Sequence, residues 1–184
     1  MKNYLHMYHD VIDDEKCDEL IYKFESDKEN HEVQNNGAGA TLTQISLLHS
    51  PDTIWKDDAM FVINAIMEKV EEYKKYFNIQ PYQWPEKFGI EPPKIKRYMP
   101  DTDDEFPNHV DVLDYETARR FLVGFLYLDD NSKGQTVFDN QDGASFDCKR
   151  GSLVLFPPMW PWIHRGEKPV LKPKYLIGTY LHYV

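Results

Sequence analysis

FLVGFLYLD, residues 121–129, is an unbroken run of apolar and small residues, rich in aromatic and branched side chains, closed by an aspartate. It is too short for a typical core helix, so it reads as a strand buried on both faces. Three other segments share its character. PPKIKRYM (residues 92–99) reads as a strand, as do GSLVLFP (151–157) and the β-prone run KYLIGTYLHYV (174–184). Asn131-Ser132-Lys133-Gly134 and Asn140-Gln141-Asp142-Gly143 supply the expected turns between them.

Upstream of this half the periodicity is helical. From Asp13, DDEKCDELIYKF places Cys17, Leu20, Ile21 and Phe24 on one face behind an acidic first turn, which predicts a surface helix. A second helix is expected to open at Ser50-Pro51, with serine as cap and proline in the first helical position. It would run through Ile54, Phe61, Ala65, Met67 and Val70 to about Tyr76. Between the two, NNGAGATLTQISLL begins as a glycine-containing turn and becomes strand-like. Two helices followed by short strands with regular turns suggest an α+β, mainly β chain. Its expected core is a jelly roll with the N-terminal helices packed on it. The sequence shows no repeat, low-complexity tract or linker. The expectation is therefore one domain over 1–184, helical to about 80, with the β core from about 94.

The chain has 184 residues, enough to bury a core without staples. Acidic residues outnumber basic ones by 31 to 21, a formal charge of −10, which is the wrong sign for general contact with nucleic acid or anionic lipid. No run approaches 18 apolar residues, so no membrane span is expected. Cys17 and Cys148 are too few and too far apart for a disulfide framework or a zinc ribbon. Free thiols and a cytoplasmic location are the expectation.

Among seven histidines, His109 is set apart by Asn108-His109-Val110-Asp111. On an extended segment the imidazole and the carboxylate at i and i+2 project to the same face, where both could grip one metal ion. The tripeptide alone is weak. It gains weight from His164, which follows the apolar strand at 151–157, and from Lys174 ten residues further on. Two histidines and a carboxylate form the facial triad of non-haem Fe(II) oxygenases and leave coordination positions open. A closed structural zinc site would need a fourth protein ligand, and neither cysteine has the spacing to give one.

Several features together resemble the Fe(II)/2-oxoglutarate-dependent oxygenases, in particular their prolyl 4-hydroxylase-like branch. They are Tyr98 before His109-Val110-Asp111, LVGFLYLDDNSKGQTVF, RGSLVLFP, and His164 with Pro169-Val170 and Lys174 behind it. The opening helix DVIDDEKCDELI is similar to the family's as well. The resemblance implies a double-stranded β-helix core and iron held by His109, Asp111 and His164. It further implies 2-oxoglutarate as co-substrate with its distal carboxylate on Lys174, a hydroxyl contact from Tyr98, dioxygen, and ascorbate as an accessory reductant. The reaction implied is hydroxylation of a substrate C–H, with 2-oxoglutarate decarboxylated to succinate. Tyr98 reads equally well as a core aromatic. Pro173 interrupts the usual pattern, and on a strand Lys172 shares a face with Lys174, so the anchor stays open between the two. Lys133 replaces a usual glycine.

The resemblance points to a peptidyl proline or a free amino acid as substrate. A cupin-like metal-binding or sensor module without turnover would keep the same barrel and triad. A nucleobase oxidant should carry a second C-terminal arginine, and none follows Arg165. Trp160 and Trp162 could wall a proline ring, and the loops 35–40 and 100–107 could close over substrate. Residues 101–116 carry seven acidic and no basic side chains, whereas 141–184 carry six basic and three acidic. The expectation is an acidic mouth that admits a neutral or basic substrate.

Overall fold

A computed structural model describes residues 3–35, 40–48 and 54–184. Its elements run β1 (His6–Tyr8), α1 (Asp14–Ser26), β2 (Glu32–Asn35), β3 (Thr41–Ser46), α2 (Lys56–Phe77), β4 (Phe88–Ile90), β5 (Lys94–Tyr98) and β6 (Phe106–His109). They continue with β7 (Arg120–Tyr127), β8 (Asn131–Phe138), β9 (Ala144–Cys148), β10 (Leu153–Phe156), β11 (His164–Gly166) and β12 (Lys174–Tyr183). The strands pair antiparallel in two sheets. The larger has the order β1-β10-β7-β12-β5-β3-β2 with β4 added to β12, and the smaller has the order β6-β11-β8-β9. This is the expected jelly roll with helices outside it.

Period-two alternation between two covered faces explains why β7 is apolar from Phe121 onward. Leu122 and Leu126 face the helical layer with Ile66 and Val70 of α2, whereas Val123, Phe125 and Tyr127 point between the sheets. Strand β10 divides in the same way, Leu153 and Leu155 outward, Val154 and Phe156 inward. A strand covered on both faces has no polar side to show, which is why these runs stand out in the sequence.

Helix α1 begins as its sequence predicts. Asp13 caps it by accepting the Lys16 amide at 2.8 Å, and Cys17, Leu20 and Phe24 are buried. Helix α2 differs from its expectation. The cap expected at Ser50-Pro51 lies outside the described residues, and the helix is first seen at Lys56. Ile54 sits in the turn before it and Phe61 is largely exposed. The buried stripe is Ala59, Val62, Ile66, Val70, Tyr73 and Phe77, at the i, i+3, i+4 spacing of a helix lying flat on a sheet. Asn78 ends it in the left-handed conformation.

The turn expected at 131–134 is instead the first half of β8. Asn131 spends its side chain on Lys172 and Pro173 carbonyls and on the Lys133 amide, so the turn-forming residue stabilises a strand start. The turn at 140–143 is present, with Asp142 and Gly143 at positive φ.

Candidate metal centre

His109 ends β6 and His164 opens β11, and the two are direct partners across the antiparallel pair, which brings their rings to 4.2 Å between centroids. Asp111 lies just beyond β6. Its amide donates to Pro158 O at 3.1 Å and its carbonyl accepts from Arg120 Nη1 at 3.0 Å, so its backbone is tied at both ends. One ligand atom from each of the three residues lies within 4.8 Å of the others. His109 Nε2 is 3.8 Å from Asp111 Oδ1, and His164 Nε2 is 3.5 Å from Asp111 Oδ2.

Both imidazoles are oriented from behind. His109 Nδ1 meets Pro107 O at 2.8 Å and His164 Nδ1 meets Trp162 O at 3.0 Å. A carbonyl can only accept, so each Nδ1 carries the proton and each Nε2 lone pair faces the centre. Burial lowers both histidine pKa values, and His109, further depressed by His164, falls to about 4. Both are therefore neutral at pH 7, the form a metal requires. His164 sits in a cage of Phe125, Phe138 and Phe156, and Phe106 stacks on His109. His164 Nε2 and Asp111 Oδ2 are buried without a hydrogen-bond partner. Two orphaned acceptors aimed at one point are costly unless a cation satisfies them. The donor set, N, N and O with neutral rings, fits a divalent first-row metal such as Fe(II).

Tyr180 of β12 donates to Asp111 Oδ1 at 2.8 Å, which leaves Oδ2 facing His164. Arg120 lies over the Tyr180 ring at 3.8 Å and is itself held by a two-pronged pair with Glu91 at 2.7 and 2.8 Å.

Lys174 opens β12 opposite Tyr98 of β5. It is 2% exposed, its ammonium donates to Gly134 O at 2.5 Å, and the Tyr98 and Tyr127 rings lie 5.3 and 6.0 Å away. Burial lowers its pKa. Gly134 has φ +97°, and a side chain there would meet Lys174 Cδ at 3.2 Å, so the approach requires glycine. Lys172 instead pairs with Asp129 at 2.9 Å and does not line the recess that Lys174 enters. Lys174, Tyr98, Thr136, His109 and His164 line one inner recess of about 20 Å³, room for little more than a water. The recess adjoins an open cavity of about 520 Å³ lined by His109 and Asp111 together with Phe106, Arg120 and Tyr180.

Two expectations about this cavity change. Trp160 is largely exposed, Trp162 donates to Asn3 O at 2.6 Å, and neither lines the cavity. The apolar wall is built instead by Phe106, Pro107, Val110 and Leu113. The acidic segment does not rim the mouth as a block. Asp104 turns inward to accept the Met99 amide, and of the seven acidic side chains only Asp111 and Asp114 line the cavity. In the loop 35–40, Ala40 lines it, while 36–39 lie outside the described residues. Lys96, Arg120, Thr136 and Tyr180 belong to the site as well, although no motif in the sequence marks them. Lys96 lies two residues before Tyr98, and Tyr180 six after Lys174, so strand alternation was the signal that could have found both.

No family model matches the chain, and no curated protein matches it in sequence. Solved structures do. The viral collagen prolyl hydroxylase of Paramecium Bursaria Chlorella virus-1, solved with 2-oxoglutarate, superposes with a TM-score of 0.72 at 17% identity, covering 98% of this chain and 97% of that one. The chain has the prolyl 4-hydroxylase fold. A Pseudomonas putida prolyl-4-hydroxylase agrees, with a TM-score of 0.69 at 16% identity over 100% of this chain and 94% of its own. So does the Trichoplax adhaerens prolyl hydroxylase, solved with a fragment of the hypoxia inducible factor oxygen degradation domain. Its TM-score is 0.72 at 14% identity, over 98% and 84% of the two chains.

Proposed function

We propose that this protein is an Fe(II)- and 2-oxoglutarate-dependent oxygenase that hydroxylates a C–H bond of a prolyl substrate and releases succinate and CO₂. The observation that carries the proposal is the convergence of His109, Asp111 and His164, two of them with orphaned acceptor atoms, beside a recess that ends on the buried Lys174. When bound, iron would supply the one-electron and dioxygen chemistry that no side chain offers. The chain's own residues do the rest. The two Nδ1–H groups and Tyr180 fix the ligand atoms, the phenylalanine cage excludes water from His164, and Lys174 offers a desolvated cation to the far carboxylate of the co-substrate. To receive it, Lys174 would exchange the Gly134 carbonyl for the carboxylate, and the recess would widen. The similar solved structures support the substrate class, because all three are named prolyl hydroxylases and one of them was solved with a peptide fragment.

The test is succinate formation from 2-oxoglutarate by purified protein with Fe(II) and prolyl peptides. Wild type is expected to turn over, and Asp111→Ala is expected to lose both tight iron binding and succinate formation. Iron binding without any consumption of 2-oxoglutarate across the panel would mark a metal-binding module instead.

A further inference from the structure

Lys96 is a buried charged side chain of the site for which the reaction described above has no use. It is 8% exposed, lies at the junction of the recess and the open cavity, and lines both. Among the described residues no hydrogen bond or ion pair involves its ammonium, which lies 5.7 Å from the centroid of the Phe106 ring. Register explains its direction. Lys96 pairs with Leu176 of β12, one step along the inward face from the Lys174 and Tyr98 pair.

A buried cation without a partner is expensive, and such groups persist where a ligand completes them. Charge decides which ligand. Without metal, Asp111 attracts Lys96 across the cavity, but a bound divalent ion would neutralise that carboxylate. With iron and Lys174 matched against Asp111 and a dianionic co-substrate, the buried positive charge left over sits on Lys96. Among the described residues, the other charged side chains lining the open cavity are Glu91 and Arg120, which pair with each other, and Lys94 and Asp114, which are exposed to solvent.

We propose that Lys96 is a specificity-determining residue that pairs with a carboxylate of the primary substrate. The inference rests on the oxygenase reading and narrows its substrate class. The site would take a proline bearing a free α-carboxylate, whether the free amino acid or a C-terminal residue, in preference to an internal prolyl residue, whose carbonyl is an uncharged amide. It replaces the neutral or basic substrate that the acidic segment suggested, because that segment does not form the mouth.

The experiment is anaerobic calorimetric titration of protein loaded with Fe(II) and 2-oxoglutarate, using L-proline and prolinamide, then Gly-Pro and its C-terminal amide. Each acid is compared with its own amide at fixed ionic strength. The expected result is tighter binding of the acid by at least about tenfold in one of the two pairs. Lys96→Met should erase the preference with 2-oxoglutarate affinity unchanged, and Lys96→Arg should retain much of it. The pair that shows the preference separates free proline from a C-terminal prolyl residue. Equal binding of acid and amide in both pairs, or no binding of either, would overturn the inference, as would a Lys96→Met protein that lost affinity for 2-oxoglutarate. Failure of the oxygenase reading looks different, since the protein would then not bind 2-oxoglutarate with Fe(II) at all.

Discussion

Tyr180 shows how much of this site depends on single atoms outside the ligand set. Its hydroxyl is the donor to Asp111 Oδ1, and Tyr180→Phe removes that one oxygen while leaving the ring for Arg120 to cover. Fe(II) affinity is expected to fall about 10- to 100-fold, with the fold intact, in a metal titration followed by circular dichroism. The two lysines near the end of the chain give a sharper comparison. Lys174→Ala should raise the KM for 2-oxoglutarate by at least about a hundredfold because the recess then ends on no cation, whereas Lys172→Ala removes only a surface pair and should leave it within about twofold. These residues were unequally legible in the sequence. His109, Asp111 and His164 are visible through residue type, spacing and downstream context together, whereas Lys174 stands out only through the family resemblance, which leaves Lys172 open beside it. Lys96 and Arg120 were hidden, since a lysine or arginine in an amphipathic strand ordinarily faces water. Only the register with β12 shows that Lys96 does not.

At the scale of elements, strands with two covered faces were the readable ones. Strands β7, β10 and β12 carry their burial in composition, whereas β6, with its proline and asparagine, and the three-residue β11 carry none. Yet β6 and β11 hold the two histidines. Such short polar strands exist because β8 gives β11 a ladder to join and β11 gives one to β6, and that is information of tertiary origin. Helix α2 was readable as a helix but not in its facing, since exposed Phe61 and Met60 blur the apolar stripe. The true face can be tested. Ile66 is fully buried against the outer face of the large sheet, so Ile66→Ala should destabilise the protein by about 2–5 kcal/mol in urea unfolding. Phe61→Ala, on the half-exposed side, should cost no more than about 1 kcal/mol.

For the molecule as a whole, the site should make stability depend on pH in a defined window. Folding depresses the pKa of His109 from 6.5 to about 4 and lowers that of His164 as well, chiefly by burying them. Above about pH 6.5 both the folded and the unfolded chains hold these rings neutral, so the stability is undiminished there. As pH falls, the unfolded chain takes up protons that the folded one refuses, and stability is lost progressively until His109 itself titrates near 4. For His109 the loss is up to about 3 kcal/mol across that window, superposed on the general effect of the carboxylates. A metal ion acts on the same rings. It binds only their neutral form and only in the folded chain, so it raises the melting temperature by mass action, and protons compete with it. The increment in Tm on adding Fe(II) without oxygen, measured by differential scanning fluorimetry between pH 4 and 7.5, should therefore be largest above about 6.5 and shrink toward zero near 4. His164→Ala should remove the increment at every pH. An increment that stayed flat with pH, or survived that substitution, would place the ion on carboxylates elsewhere on this acidic surface.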